Sequence, residues 1–310
     1  MELTICGSRG SVASPSGRKP NGEMFNTMEY GGNTSCYYLS ACDRNIILDA
    51  GTGISPLGDY LLENNISGNL ELLISHPHWD HIQGFPFFTP AYIPNCNVNI
   101  YGEAPIKGQL IKALQEKHMQ DLIVEMRCSG IKDVFANQQN ERNFPVDLGY
   151  MKGVGEFNDF IPGGLLSDRE NLRIETYSLS HPGGCVSYKF TDKNTGNVFI
   201  YSTDFEPDFG ENDERMIEWW RDADLVLADA QYEQSEDAPR NKFLKTFGHS
   251  DPFTNVDYAQ RANVSKILMT HHDRKSDDRY LGDFERRSQI YGASKGVEVL
   301  FAKEGMKLEI

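Results

Sequence analysis

The stretch SHPHWDHIQG, residues 75–84, constrains this chain more than any other part of it. Four groups with lone pairs for a metal, His76, His78, Asp80 and His81, fall within six residues, directly after the apolar run LELLI at 70–74. The fold therefore has to carry a metal-binding loop at the end of a strand. While the chain is still extended, His76 and His78 point the same way; Asp80 and His81 lie a turn further on and can serve a second ion. Imidazole with carboxylate suits zinc, manganese or iron. With only 8 histidines in 310 residues, such spacing is rare by chance.

Short β-branched runs separated by turn residues predict strands at 3–6, 35–40, 45–49, 70–75 and 98–101. Residues 11–30, rich in Ser, Pro, Gly and Asn, read as a long exposed loop. A helix is expected from Pro105 to about His118. Segment 119–170 has weak periodicity and reads as an insertion or lid. Regular patterns return with strands at 172–179, 186–190, 198–202, 225–228, 266–269, 297–301 and 306–310. Helices are expected near 212–221, 255–262 and 278–290. Strand-rich blocks followed by helices occur twice, which predicts an α/β (α+β) fold: an αββα sandwich of two mixed β-sheets flanked by helices. No linker or repeat divides the chain, so a single domain over 1–310 is expected.

Further ligand types follow other strand-like runs. SLSHPGG supplies His181, YSTDFEP supplies Asp204 and LMTHHD supplies His271, while ILDAGTG places Asp49 before a Gly-rich turn. Taken singly, each reads as a turn or loop residue. In this order, and over nearly the whole length outside 119–170, the chain resembles the metallo-β-lactamase superfamily. The resemblance implies two divalent metal ions, zinc or manganese. His76, His78 and His181 would hold one, Asp80, His81 and His271 the other, and Asp204 would bridge them. Asp80 belongs to the catalytic set as well, and Asp49 would orient a ligand histidine. His118 and His272 are left without a role.

The ligand set separates subfamilies. True β-lactamases carry a Cys where this chain has Asp204, and glyoxalase II-like thioesterases usually end in a helical domain, whereas this chain ends in a strand pattern. TFGHSD places His249 between Asp204 and His271, after LADAQY with Asp229. This resembles the transfer-RNA 3′-processing endonucleases and their relatives, in which an acidic residue positions a histidine that protonates the leaving oxygen; alone, His249 is a loop histidine. GSRGS (7–11), YGGNTSC (30–36) and HHDRKSDD (271–278) are similar to a bacterial phosphodiesterase-like branch, some members of which hydrolyse 3′,5′-cyclic nucleotides.

Net charge bears on the substrate. At −15 the chain repels polyanions unless its basic residues cluster, and no basic stretch exceeds two residues, as at Arg18-Lys19. The expectation is a small phosphodiester, a cyclic nucleotide of the cAMP or cGMP type; a large nucleic acid is disfavoured. An RNA- or oligonucleotide-processing phosphodiesterase, or a thioesterase or lactonase on the same metals, stays open. Six scattered cysteines without a Cys-x-x-Cys pair read as reduced thiols. With no signal-like or membrane-spanning run, a cytoplasmic location is expected, and a homodimer is plausible by analogy with relatives.

Overall fold

Alternation of buried and partly exposed residues along Glu2–Gly7, and complete burial of Leu225–Asp229, mark the two kinds of strand from which the molecule is built. The computed structural model describes residues 1–104, 130–233 and 246–310. One seven-stranded sheet has the order β16 (Lys307–Glu309), β1 (Glu2–Gly7), β4 (Cys36–Ala41), β5 (Arg44–Leu48), β6 (Asn69–Leu73), β7 (Asn97–Glu103) and β8 (Val154–Phe160). The other, also seven-stranded, has the order β15 (Glu298–Phe301), β14 (Lys266–Thr270), β13 (Leu225–Asp229), β12 (Val198–Ser202), β11 (Cys185–Asp192), β10 (Leu172–Leu179) and β9 (Leu165–Arg169). Both are mixed: pairing is parallel from β5 to β8 and from β12 to β15, and antiparallel elsewhere.

Three apolar clusters stack these layers. Leu39, Ile46, Leu48, Tyr188, Phe199 and Leu227 belong to the middle cluster, where the two sheets face each other. Outside the first sheet, Ile54, Leu57 and Leu61 of helix Ile54–Glu63 pack with Phe85, Phe88 and Phe135. Outside the second, Trp220, Val256, Ala259 and Phe284 of the helices Glu211–Trp220, Pro252–Arg261 and Asp278–Lys295 close a third layer of core. The expected αββα sandwich is observed.

Local differences from the sequence reading have physical causes. Helix Ile54–Glu63 was not anticipated, although its buried Ile54, Leu57, Gly58 and Leu61 keep helical spacing; the preceding Gly-Thr-Gly and Pro56 in its first turn obscure it. Helix Pro252–Arg261 begins three residues early, because Asp251 caps it by accepting from the amides of Phe253 and Thr254 (2.9 and 3.1 Å) and Pro252 fits the first turn. Within 11–30 the strands β2 (Gly17–Arg18) and β3 (Met24–Phe25) make a small hairpin. From residue 130 onward, segment 119–170 contributes helix Ile131–Gln138 and the sheet-edge strands β8 and β9. Those two strands lack a clean two-residue alternation of burial, so no strand signal survives in the sequence. The helix expected over 105–118, with His118, lies outside the described residues. Among the described residues no helix is long and apolar enough to cross a membrane, and the five described cysteines are free.

Candidate metal centre

Parallel strands gather chemistry at their carboxyl ends, and this sandwich does so from both sheets. Asp49 lies one residue past β5, the 76–81 loop three past β6, Asp204 two past β12 and His271 one past β14, while Asp229 ends β13. Asp49, Asp204 and His271 have φ of 61°, 43° and 61°, the left-handed region that costs a non-glycine residue roughly 1–3 kcal/mol. The turns that aim these side chains are thus held against local preference by the packing around them.

All seven residues expected to hold metal converge. Ligand atoms of His76, His78 and His181 lie within 4.8 Å of one another, and so do those of Asp80, His81 and His271. Asp204 stands between the two groups. Its Oδ2 is 3.6 Å from His76 Nε2 and 3.8 Å from His181 Nε2; its Oδ1 is 3.3 Å from both His81 Nε2 and His271 Nδ1. Asp80 Oδ2 lies 3.5 Å from His81 Nε2 and 3.5 Å from His271 Nε2.

Three of the ligand imidazoles are turned by a partner outside the ligand set. His81 Nδ1 donates to Asp49 Oδ2 at 2.7 Å, His181 Nδ1 to the Gly248 carbonyl at 2.8 Å, and His76 Nδ1 lies 3.0 Å from Ser75 Oγ. Asp49 also accepts from the Ser75 amide (2.6 Å), the Ser75 hydroxyl (2.7 Å) and the Tyr201 hydroxyl. Asp80 is fixed by the Ser11 amide at 2.7 Å, and Asp204 by Thr203 Oγ1 at 2.6 Å. Gly248 has φ +88°, and a Cβ there would run into the His181 ring. Ser11, Ser75, Tyr201, Thr203 and Gly248 lie inside the stretches GSRGS, SHPHWDHIQG, YSTDFEP and TFGHSD, but the sequence reading gives them no role of their own, because Asp80, Asp49 and His181, the groups that Ser11, Tyr201 and Gly248 hold, are remote in the chain.

The donor set fits divalent ions. His76 Nε2 and His81 Nε2 are buried, face the cluster and lack a hydrogen-bond partner, an arrangement that is costly unless something binds there. Burial, reinforced by the His81 charge, holds the His76 imidazole well below its usual pKa, and burial also lowers those of His78 and His181. Neutral imidazole is the form with a lone pair for metal.

His249 adjoins the cluster. Its Nδ1 is 2.6 Å from Asp229 Oδ2, its ring stacks on His271 with centroids 5.0 Å apart, and its Nδ1 is 3.9 Å from Asp204 Oδ2. Burial disfavours charge on this ring, but the Asp229 carboxylate outweighs it and carries the pKa up to about 9. Asp229 is fully buried and accepts from the Gln231 amide at 2.9 Å. His272, by contrast, points into the core: Nε2 donates to the Ala302 carbonyl at 3.0 Å, and the ring stacks on Phe301.

Known proteins share this arrangement of strands. The metallo-beta-lactamase superfamily matches residues 30–191. Ribonuclease Z of Lactococcus lactis subsp. cremoris (strain SK11) is 22% identical over 272 residues, covering 72% of this chain and 77% of the relative. Among solved structures, the metallo-beta-lactamase fold protein YhfI from Bacillus subtilis superposes with a TM-score of 0.62 at 18% identity, over 100% of this chain and 98% of that one. Unliganded yeast PDE1 gives 0.62 at 17% identity, over 100% and 99%.

Proposed function

Because the chain belongs to the metallo-β-lactamase superfamily and is a metal-dependent hydrolase, we propose that it is a dinuclear phosphodiesterase in which His249 protonates the departing oxygen. The observation that carries this reading is the short His249–Asp229 contact beside the ligand cluster. His76, His78 and His181 would hold one divalent ion, zinc or manganese, Asp80, His81 and His271 a second, and Asp204 would offer one oxygen to each. Ions so held supply Lewis acidity toward a phosphoryl oxygen and lower the pKa of water.

The remaining chemistry belongs to the side chains. Asp229 fixes the Nδ1 proton of His249 and keeps the ring cationic at neutral pH, so Nε2 can give up its proton as the P–O bond to the leaving group breaks. The ring ends neutral, still donating from Nδ1 to Asp229. A ribose alkoxide needs that proton; a thiolate leaving a thioester does not. The name of the Lactococcus relative, a ribonuclease, accords with such a leaving group. This centre suits a 3′,5′-cyclic nucleotide and an internal bond of an RNA or oligonucleotide alike, and the cyclic-nucleotide expectation rests on net charge and on the resemblance of three motifs to a phosphodiesterase-like branch.

Residues 1–310 act as one domain in this reading, and segment 119–170 shapes access to the site. Supporting this, Phe144 meets Phe87, six residues past His81, edge-on at 5.5 Å, and Gln138 Nε2 donates to the Ile82 carbonyl at 2.8 Å. The test is a screen of metal-loaded protein against bis(p-nitrophenyl) phosphate, cyclic nucleotides, thioesters and precursor transfer RNA. Hydrolysis of phosphodiesters is expected; turnover of thioesters alone would replace this reading with the thioesterase one.

A further inference from the structure

Two pairs of cations that are far apart in the chain, Arg18 with Lys19 and Arg274 with Lys275, line one open cleft of about 460 Å³ together with Pro15, Gly17 and Phe25. In a chain of net charge −15, no carboxylate lines this cleft among the described residues. The linear sequence shows only pairs of basic residues; the fold turns two of those pairs into a cluster. None of the four side chains forms an ion pair with a described residue. Arg18 Nη1 donates to the Gly22 carbonyl at 2.7 Å, and Lys19 Nζ stands 5.4 Å from the centre of the Phe25 ring.

Both walls are anchored to the candidate centre. Arg18 and Phe25 sit on the β2–β3 hairpin, and the chain leading to it passes Ser11, whose amide binds Asp80. Arg274 and Lys275 follow His271 by three and four residues, a reach of at most about 14 Å. Ser14 Oγ donates to the Arg274 carbonyl at 3.2 Å and ties the walls together. The buried Arg9 holds the frame from beneath, with Nε on the Gly31 carbonyl at 2.7 Å and Nη1 on that of Ser276 at 2.5 Å. The three motifs GSRGS, YGGNTSC and HHDRKSDD thus meet around one guanidinium.

We infer that this cleft binds phosphates of the substrate other than the one being cleaved, and that the substrate is therefore a single-stranded nucleic-acid chain, not a cyclic mononucleotide. The inference rests on the phosphodiesterase reading. Clustered Lys and Arg beside an aromatic ring are the elements of a single-strand groove, with charge tracking the backbone and the ring offering a stacking face. A cyclic mononucleotide has a single phosphate, and the catalytic centre would occupy it.

The experiment compares the metal-loaded full-length protein with Arg18→Ala/Lys19→Ala and Arg274→Ala/Lys275→Ala, all exposed positions. Initial anisotropy of a labelled single-stranded RNA is read across a salt series, and steady-state kinetics are run on that RNA and on bis(p-nitrophenyl) phosphate. Each double variant is expected to bind RNA about tenfold or more weakly and to raise its KM, with the salt slope falling by about 0.7 for each phosphate that is no longer neutralised. Turnover of bis(p-nitrophenyl) phosphate should be unchanged. Equal RNA binding by wild type and variants, or equal losses on both substrates, would overturn the cleft assignment. If bis(p-nitrophenyl) phosphate is not hydrolysed by wild type, the phosphodiesterase reading fails by itself, and the anisotropy arm still decides whether the cleft holds a phosphate chain.

Discussion

Asp49 and His81 come from different strand ends, yet their side chains meet at 2.7 Å, and Asp49 is wholly buried beneath the ligand cluster. With Ser75 and Tyr201 also donating to it, Asp49 has no freedom to move, and it fixes which nitrogen of His81 faces the site. Asp49→Asn keeps the shape but weakens acceptance from the imidazole. Metal affinity is expected to fall about 10–100-fold, read by chelator competition, with the far-UV spectrum unchanged. Undiminished affinity would show that Asp49 serves folding alone.

Asp204 presents one oxygen to His76 and His181 and the other to His81 and His271. Asp204→Asn is expected to lose at least one of two bound ions on dialysis and most phosphodiesterase activity, while remaining folded. Asparagine tolerates the left-handed backbone at this position better than alanine does, so it is the fairer test. Two ions retained, by elemental analysis, would remove the bridging role.

Arg9 is fully buried and caps carbonyls of Gly31, Asp273 and Ser276, which come from two motif segments other than its own. Its removal leaves at least two buried acceptors unpaired, each costing about 1–3 kcal/mol. Arg9→Ala is expected to lower stability by about 3 kcal/mol or more and Tm by several degrees, with Arg9→Lys intermediate. An unchanged Tm in thermal unfolding would contradict this.

Much of the architecture is legible because many strands are buried on both faces or alternate cleanly, as in Leu225–Asp229 and Glu2–Gly7. The ligand loop at 76–81 is legible for a different reason: its groups are close in sequence. What escapes is whatever depends on distant pairing. β8 and β9 are polar edge strands with no periodicity to read. Tyr201 reaches Asp49 and Ser11 reaches Asp80 across 152 and 69 residues. The basic cleft is the sharpest case, because Arg18 and Lys275 become neighbours only through the hairpin and the turn after His271.

His249 decides between the functional readings. Its ring lies close enough to Asp204 and His271 for the three to form a ligand group, so metal content has to be measured along with rate. The direct measurement is hydrolysis by His249→Ala of an RNA phosphodiester and of bis(p-nitrophenyl) phosphate, with both ions counted. A proton donor predicts two ions retained, a loss of about 10²–10⁴-fold on the ribose leaving group, and a much smaller loss on p-nitrophenolate, which departs as a stable anion. Equal losses on both substrates, or an ion lost with the side chain, would contradict the role assigned to His249.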